Sequence, residues 1–250
     1  MGYRSDKDID FIGELASEDL NDLVYCLTHD KDGEVRFTES LTVDAKYKQH
    51  YPDHHAYWTL IAAEIQCFGA NSIATMLRRG EGVLYKEVLT DVCDKLSVNY
   101  NKSSGVEVIE GNLLMKIATD AIEKMSESEV RELAQSMGLK DLSVTKEIVL
   151  GSFQAIFRAG GFKSYQLTLI IVNAVLKALI GRGLSLAGNV ILTRTMSILA
   201  GPIGWAVTGV WTAVDIASPA YRVTVPAVIQ VAFLRRKYLY AEVAEEINFS

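Results

Sequence analysis

Histidine offers the first chemistry. His50, His54 and His55 stand with Asp53 in HYPDHH, and imidazole with carboxylate is a common metal-ligand set. The spacing does not converge. Pro52 lies between His50 and His54 and breaks any shared helix, and His54 and His55 point to different faces of the helix that starts there. The cluster reads as a solvated helix start with Asp53 favourable to the dipole, and no metal is expected. Arg78 and Arg79 in RRGEGVLY place two guanidiniums before two glycines, a pattern that could hold an anion. The phosphate-loop and dinucleotide spacings are absent, and Gly80 as a helix stop with Gly82 as a turn residue explains the glycines. Arg78 and Arg79 are kept as an anion-binding candidate. Cys26, Cys67 and Cys93 form no C-x-x-C pair and are odd in number, so a secreted disulfide framework is not expected. No G-x-S-x-G or H-E-x-x-H motif occurs. No catalytic residue, cofactor or enzymatic activity is expected.

The remaining candidates lie in the last hundred residues. Thr195–Val214 is uncharged over 20 residues, the length needed to cross a bilayer. Trp205 and Trp211 sit near its end, as interfacial anchors do. Gly201-Pro202 reads as a turn that would leave two pieces too short to span, and Lys177, Arg182, Arg194 and Asp215 interrupt the neighbouring apolar runs. Two readings stay open: a buried helical core, or an apolar hairpin that can enter a membrane. Asp215 and Arg222 bracket SPAY as a possible ion pair. Arg235 and Arg236, with Lys237, end the apolar part of the last helix, where they would reach lipid headgroups or face water. Trp205, Trp211, Arg222, Arg235 and Arg236 are the residues expected to meet a membrane or a partner.

The elements that must position these residues are helices. Four prolines in 250 residues argue against a loop-rich β architecture. Apolar residues recur at helical spacing in EDLNDLVYCLT, and Val35–Thr38 reads as a short extended piece. Pro52 is expected to open a helix whose core face holds Trp58, Leu60, Ile61, Ile65 and Phe68, with Gly69 as its stop. Asn71 is expected to cap a short helix ended by Gly80, followed by a helix in VLYKEVLTDVCDKL. Capping boxes at Ser104 with Glu107 and at Ser126 with Glu129 start two more, the second closed by Gly138 and Leu139. Helices are then read near 144–159, 164–180, 184–200, 203–217 and 221–246. Pro226 falls in the first turn of the last or kinks it.

Charge divides the chain. Residues 1–142 carry 15 basic and 26 acidic side chains, for −11; residues 143–250 carry 10 and 5, for +5. The mean hydropathy of +0.15 is therefore a mixture of two kinds of sequence. An acidic first part is a poor nucleic-acid binder, and a basic, apolar second part suits an anionic lipid surface or an acidic partner. The expected architecture is an all-α, multi-helix bundle: a small N-terminal helical module over 1–40, an acidic bundle over 41–142, and a glycine-rich apolar domain over 143–250.

Four stretches carry a family likeness: DKDIDFIGELASEDLNDLVYCLTHDKDGEVRFTESL, YWTLIAAEIQCFGANSIATMLRRGEGVLYKEVLTDVCDKL, GGFKSYQLTLIIVNAVLKALIGRGLS and AGPIGWAVTGVWTAVDIASPAYRVTVPAVIQVAFLRRK. The chain resembles the YaaW-like family of bacterial proteins over nearly its whole length. That family is grouped loosely with the ubiquinol–cytochrome c chaperones, helical assembly factors for a membrane respiratory complex, through the middle helices at about Tyr57–Leu96. The resemblance implies a helical fold and brings no catalytic residue with it. The expected function is a non-enzymatic, chaperone-like assembly protein whose C-terminal helices engage a membrane or an apolar protein partner. The alternative is a membrane-perturbing effector of bacterial conflict, held inactive by the N-terminal region. The start MGYRSDKDID has no apolar run, so the expected location is the cytoplasm, peripheral to the inner face of the membrane.

Overall fold

A computed structural model describes residues 2–36, 38, 40–68, 82–139, 144–185, 198, 201–204 and 221–248, with side chains for all but 68 and 240–248. The fold is all-α; among the described residues the only extended pairing is an antiparallel bridge between His29 and Val35. The helices are α1 (Asn21–Thr28), α2 (Ala45–His50), α3 (Trp58–Phe68), α4 (Tyr85–Lys95), α5 (Val106–Lys124), α6 (Glu127–Ser136), α7 (Lys146–Ala159), α8 (Gly161–Ile180) and α9 (Tyr221–Asn248). Single 3-10 turns at Asp10–Glu14, Ser17–Leu20 and His54–Tyr57 lead into them.

The 28-residue α9 is the axis. Residues 223–236 of it are all buried, so this stretch has no solvent face, as expected of an element surrounded by others. It packs most closely on α8 and also touches α1, α3, α4, α5 and the first 3-10 turn. Each fully buried Val, Ile, Leu or Phe contributes about 1.5–3 kcal/mol. Pro226 lies inside this helix, beyond its first turn, and its missing N–H leaves the Arg222 carbonyl without that helical donor. The buried residues from Ile9 to Leu234 form one contiguous apolar cluster.

Elsewhere the sequence pattern explains the elements. On α5, Val106, Ile109, Leu113, Leu114, Ile117, Ala121 and Ile122 are buried at helical spacing. The box at Ser126 and Glu129 is formed. Helix α6 closes with the Gly138 N–H on the Gln135 carbonyl (3.0 Å) and the Leu139 N–H on the Ala134 carbonyl (2.9 Å), with Gly138 at φ 82°. α8 is the one described helix long and apolar enough to cross a membrane, and 61% of its apolar window is buried inside the chain.

Several expectations need correction. Ser104 does not cap α5. Gly105 does so with no side-chain bond, and the Ser104 carbonyl instead accepts from Lys86 Nζ at 2.7 Å. Pro52 sits in a turn, and the helix begins two residues later as a 3-10 turn before becoming α-helical at Trp58. Residues 201–204 are helical, so Gly201-Pro202 is not the expected turn; proline's fixed φ suits a helical turn. On α3 the buried side is wider than an apolar stripe. Residues 61–67 are all buried, while Trp58 and Leu60 are only half-buried. The short helix expected after Asn71, and nearly all of 184–200 and 203–217, lie outside the described residues.

Candidate functional site

The basic end of the apolar helix is turned inward. Arg235 and Arg236 are 8% and 4% exposed, so neither stands out toward lipid headgroups or bulk water, against the expectation from sequence. Their position on α9 explains this: they continue the stretch that α5 and α8 enclose. Arg235 Nε donates to Glu110 Oε2 at 2.8 Å, and its Nη2 donates to the Asp8 carbonyl. Its guanidinium also lies 4.5 Å from the centre of the Phe11 ring. Tyr85 Oη donates to the other Glu110 oxygen at 2.7 Å. Arg236 Nη1 donates to Ser164 Oγ at 2.7 Å, with its guanidinium 5.2 Å from the Phe157 ring centre. Lys237 Nζ pairs with Asp19.

Burial pushes the Glu110 carboxyl up, and the Arg235 charge and hydrogen bond pull it partly back. Burial disfavours the Arg235 charge, but Glu110, Tyr85 and Asp8 together more than offset this and hold the guanidinium charged. Burial also drives the Tyr85 phenol well above its ordinary value. The Tyr85–Glu110–Arg235 group is sealed among α4, α5 and α9. Such a group fixes how helices meet and offers substrate no path.

Acidic residues near the N-terminus complete this ionic seam. Asp6 Oδ2 accepts the Tyr85 N–H at 2.6 Å, capping α4 from 79 residues away where Leu84 supplies no side-chain cap. Asp22, 3% exposed, accepts Arg182 Nη2 at 2.7 Å through one oxygen, and through the other accepts the Ser185 N–H at 2.8 Å and its hydroxyl at 2.9 Å. Arg182 in turn stacks 3.8 Å over Tyr25. The chain closes tightly there: Gly181 has φ 74°, and a Cβ on it would stand 2.4 Å from the Lys31 carbonyl oxygen. The charge asymmetry of the sequence is thus met inside the molecule, acid of the first part against base of the second.

The other candidates are scattered. Arg222 is exposed in the first turn of α9, 13 residues and so about 20 Å along the axis from Arg235. Arg78, Arg79, Trp205, Trp211 and Asp215 lie outside the described residues. The histidines separate: His54 is buried with Nδ1 against Tyr57 Oη, while His55 Nδ1 donates to the Leu15 carbonyl at 3.0 Å. Burial holds the His54 imidazole below its ordinary 6.5. Among the described residues no group of three or more His, Cys, Asp or Glu is placed to hold a metal. The three cysteines are buried and none is in a disulfide, and burial pushes the Cys93 thiol up to about 12.

Sequence reasoning passed over Glu64 and Glu110. Glu64 is fully buried, and its Oε2 accepts the Ser40 and Leu41 N–H groups, both at 2.9 Å. Glu110 lies in VEVIEGNLL on the same face as Val106, Ile109 and Leu113. A lone carboxylate inside an apolar helical face was the available signal.

Comparison with known proteins follows the same outline. Residues 53–229 match the family model described as Ubiquinol-cytochrome C chaperone, a wider span than the middle helices alone, and residues 3–37 match a domain of unknown function, DUF3944. A UPF0174 protein of Helicobacter pylori strain J99 is 51% identical over 238 residues, covering 95% of this chain and 94% of that protein. A second UPF0174 protein of the same strain is 44% identical over 204 residues, covering 80% of this chain and 97% of that protein. The UPF0174 protein YaaW of Escherichia coli K12 is 32% identical over 241 residues, 94% of this chain and 96% of that protein. No solved structure gives a significant match. The chain belongs to the UPF0174 family that includes YaaW, and over residues 53–229 it belongs to the Ubiquinol-cytochrome C chaperone family.

Proposed function

We propose that this chain is a non-catalytic assembly factor that binds a protein partner during the building of a membrane respiratory complex, with its apolar C-terminal helices meeting the membrane or an apolar partner surface. The observation that carries the reading is the chaperone-family match over residues 53–229. It is supported by α8, whose length and hydropathy suit an apolar environment, and by exposed Arg222 at the start of α9, a cation suited to a headgroup or an acidic partner. Trp205, Trp211 and Arg222 are the contact residues under this reading. Its location is the cytoplasm, peripheral to the inner face of the membrane.

The test is deletion of the gene in its source cell, with ubiquinol–cytochrome c complex read on native gels and by haem absorbance of the membranes. The expected result is less assembled complex while its subunits are still synthesised. Unchanged complex overturns the assembly role. Flotation of the purified chain with phosphatidylglycerol vesicles tests the membrane arm: protein that stays wholly at the bottom of the gradient removes it.

A further inference from the structure

A cavity of about 440 Å³, partly open to solvent, lies between α5, the end of α7 and α9. That volume is within the range of small-molecule sites. Two different surfaces meet in it. Val108, Met115 and Phe157 supply apolar contact, and Arg158 and Arg236 supply positive charge. The amides of Asn112 and Gln154 lie in the lining too, and Glu107 is its one acid, so the lining carries a net positive charge.

The two arginines differ in how they are held. Arg158 is exposed. Arg236 is buried and fixed: Ser164 Oγ accepts from its Nη1, and Phe157 lies beneath its guanidinium. Gly111 opens the space beside it, since a Cβ there would stand 3.2 Å from Arg236 Nη2. A guanidinium locked by packing binds an anion with little further loss of side-chain freedom, and partial exclusion of water strengthens the attraction.

We propose that this cavity is a binding site for a small amphipathic acid, a carboxylate or phosphate monoester on an apolar body. The acid group lies between Arg236 and Arg158, and the apolar body rests on Phe157, Met115 and Val108. The inference goes beyond the assembly reading and does not depend on it, because the test needs no partner protein.

Thermal unfolding of the full chain is followed with octanoate, octyl phosphate, octanol, octyltrimethylammonium and inorganic phosphate. A saturable rise in Tm with octanoate, octyl phosphate or both, larger than with octanol, the cation or inorganic phosphate, supports the site, and the ratio of the two acids identifies the preferred head group. Arg158→Gln, an exposed change that should leave the fold intact, is expected to weaken binding of the acid by about threefold to tenfold. Arg236→Lys should weaken it further, provided its ligand-free Tm shows that it folds. The proposal is overturned if neither acid shifts Tm at millimolar concentration, if octanol shifts it as much as octanoate, if inorganic phosphate matches octyl phosphate, or if Arg158→Gln binds the acid unchanged.

Discussion

The segment before α2 and the helix α9 treat charge in opposite ways. The N-terminal segment pairs carboxylates with cations that keep contact with water: Asp19 meets a part-exposed lysine, and Asp22, itself buried, meets an arginine whose side chain is 40% exposed. The apolar helix carries two of its three guanidiniums, those of Arg235 and Arg236, in the interior, where Arg235 has Glu110, Tyr85 and a backbone carbonyl around it. A rim charge keeps water as an alternative partner, so losing its mate costs little. An interior charge has only the partners the fold supplies, so its removal is felt in full.

The comparison predicts an order of effects. Glu110→Gln leaves Arg235 buried against a neutral amide and should reduce unfolding free energy by about 3–5 kcal/mol, read from urea denaturation. The double change Glu110→Leu with Arg235→Leu should recover much of that loss, because both buried charges go together. A single variant within 1 kcal/mol of the parent, at about RT ln 5, would break the distinction. Asp22→Ala comes next. It strands the Ser185 N–H and hydroxyl, while Arg182 retains water and the Tyr25 face, so about 2 kcal/mol is expected by the same measurement.

His54 sharpens the contrast, being buried with its Nδ1 against the Tyr57 hydroxyl and with a depressed pKa. Between that depressed value and 6.5 the unfolded chain binds more protons than the folded one, so the stability is present above 6.5 and is lost as pH falls. The slope is at most about 1.4 kcal/mol per pH unit. His54→Gln should flatten the Tm profile between pH 7.5 and 5.5, and an unchanged slope would assign the acid sensitivity to other groups. The smallest effect is expected at the rim. Lys237→Met should change stability by under about 1 kcal/mol and should reduce its sensitivity to salt, compared in 0.05 M and 0.5 M sodium chloride.

Much of the fold was legible in single residues. The capping box at Ser126, the stop at Gly138 and the breaks at Gly160 and Gly181 mark helix ends through local backbone chemistry, which a sequence displays. The inward turn of Arg235 and Arg236 was not legible. In LRRKYLY the two arginines look like the solvated end of an apolar run, and only the approach of Glu110, 125 residues earlier, reveals that the run continues. Glu64 and Glu110 could have raised the question, since each breaks an apolar face. Their partners could not be named, because long-range pairing leaves no mark in local spacing. The 440 Å³ cavity was equally hidden: its lining comes from three helices, and Gly111 reads in isolation as a weak point of α5 rather than as room for a guanidinium.

The Asp8 carbonyl and Arg235 are 227 residues apart, and Asp19 and Lys237 are 218 apart. Ribosomes deliver the first member of each pair long before the second. While the nascent chain grows, Asp6 and Tyr85 can dock, yet Glu110 waits without its guanidinium and α8 without the helix that covers it. The core therefore seals only after α9 has emerged. A stalled or prematurely terminated product ending before Arg235 would present an apolar cleft with an unmatched carboxylate in its wall, a form suited to recognition by the cell's degradation machinery rather than to survival.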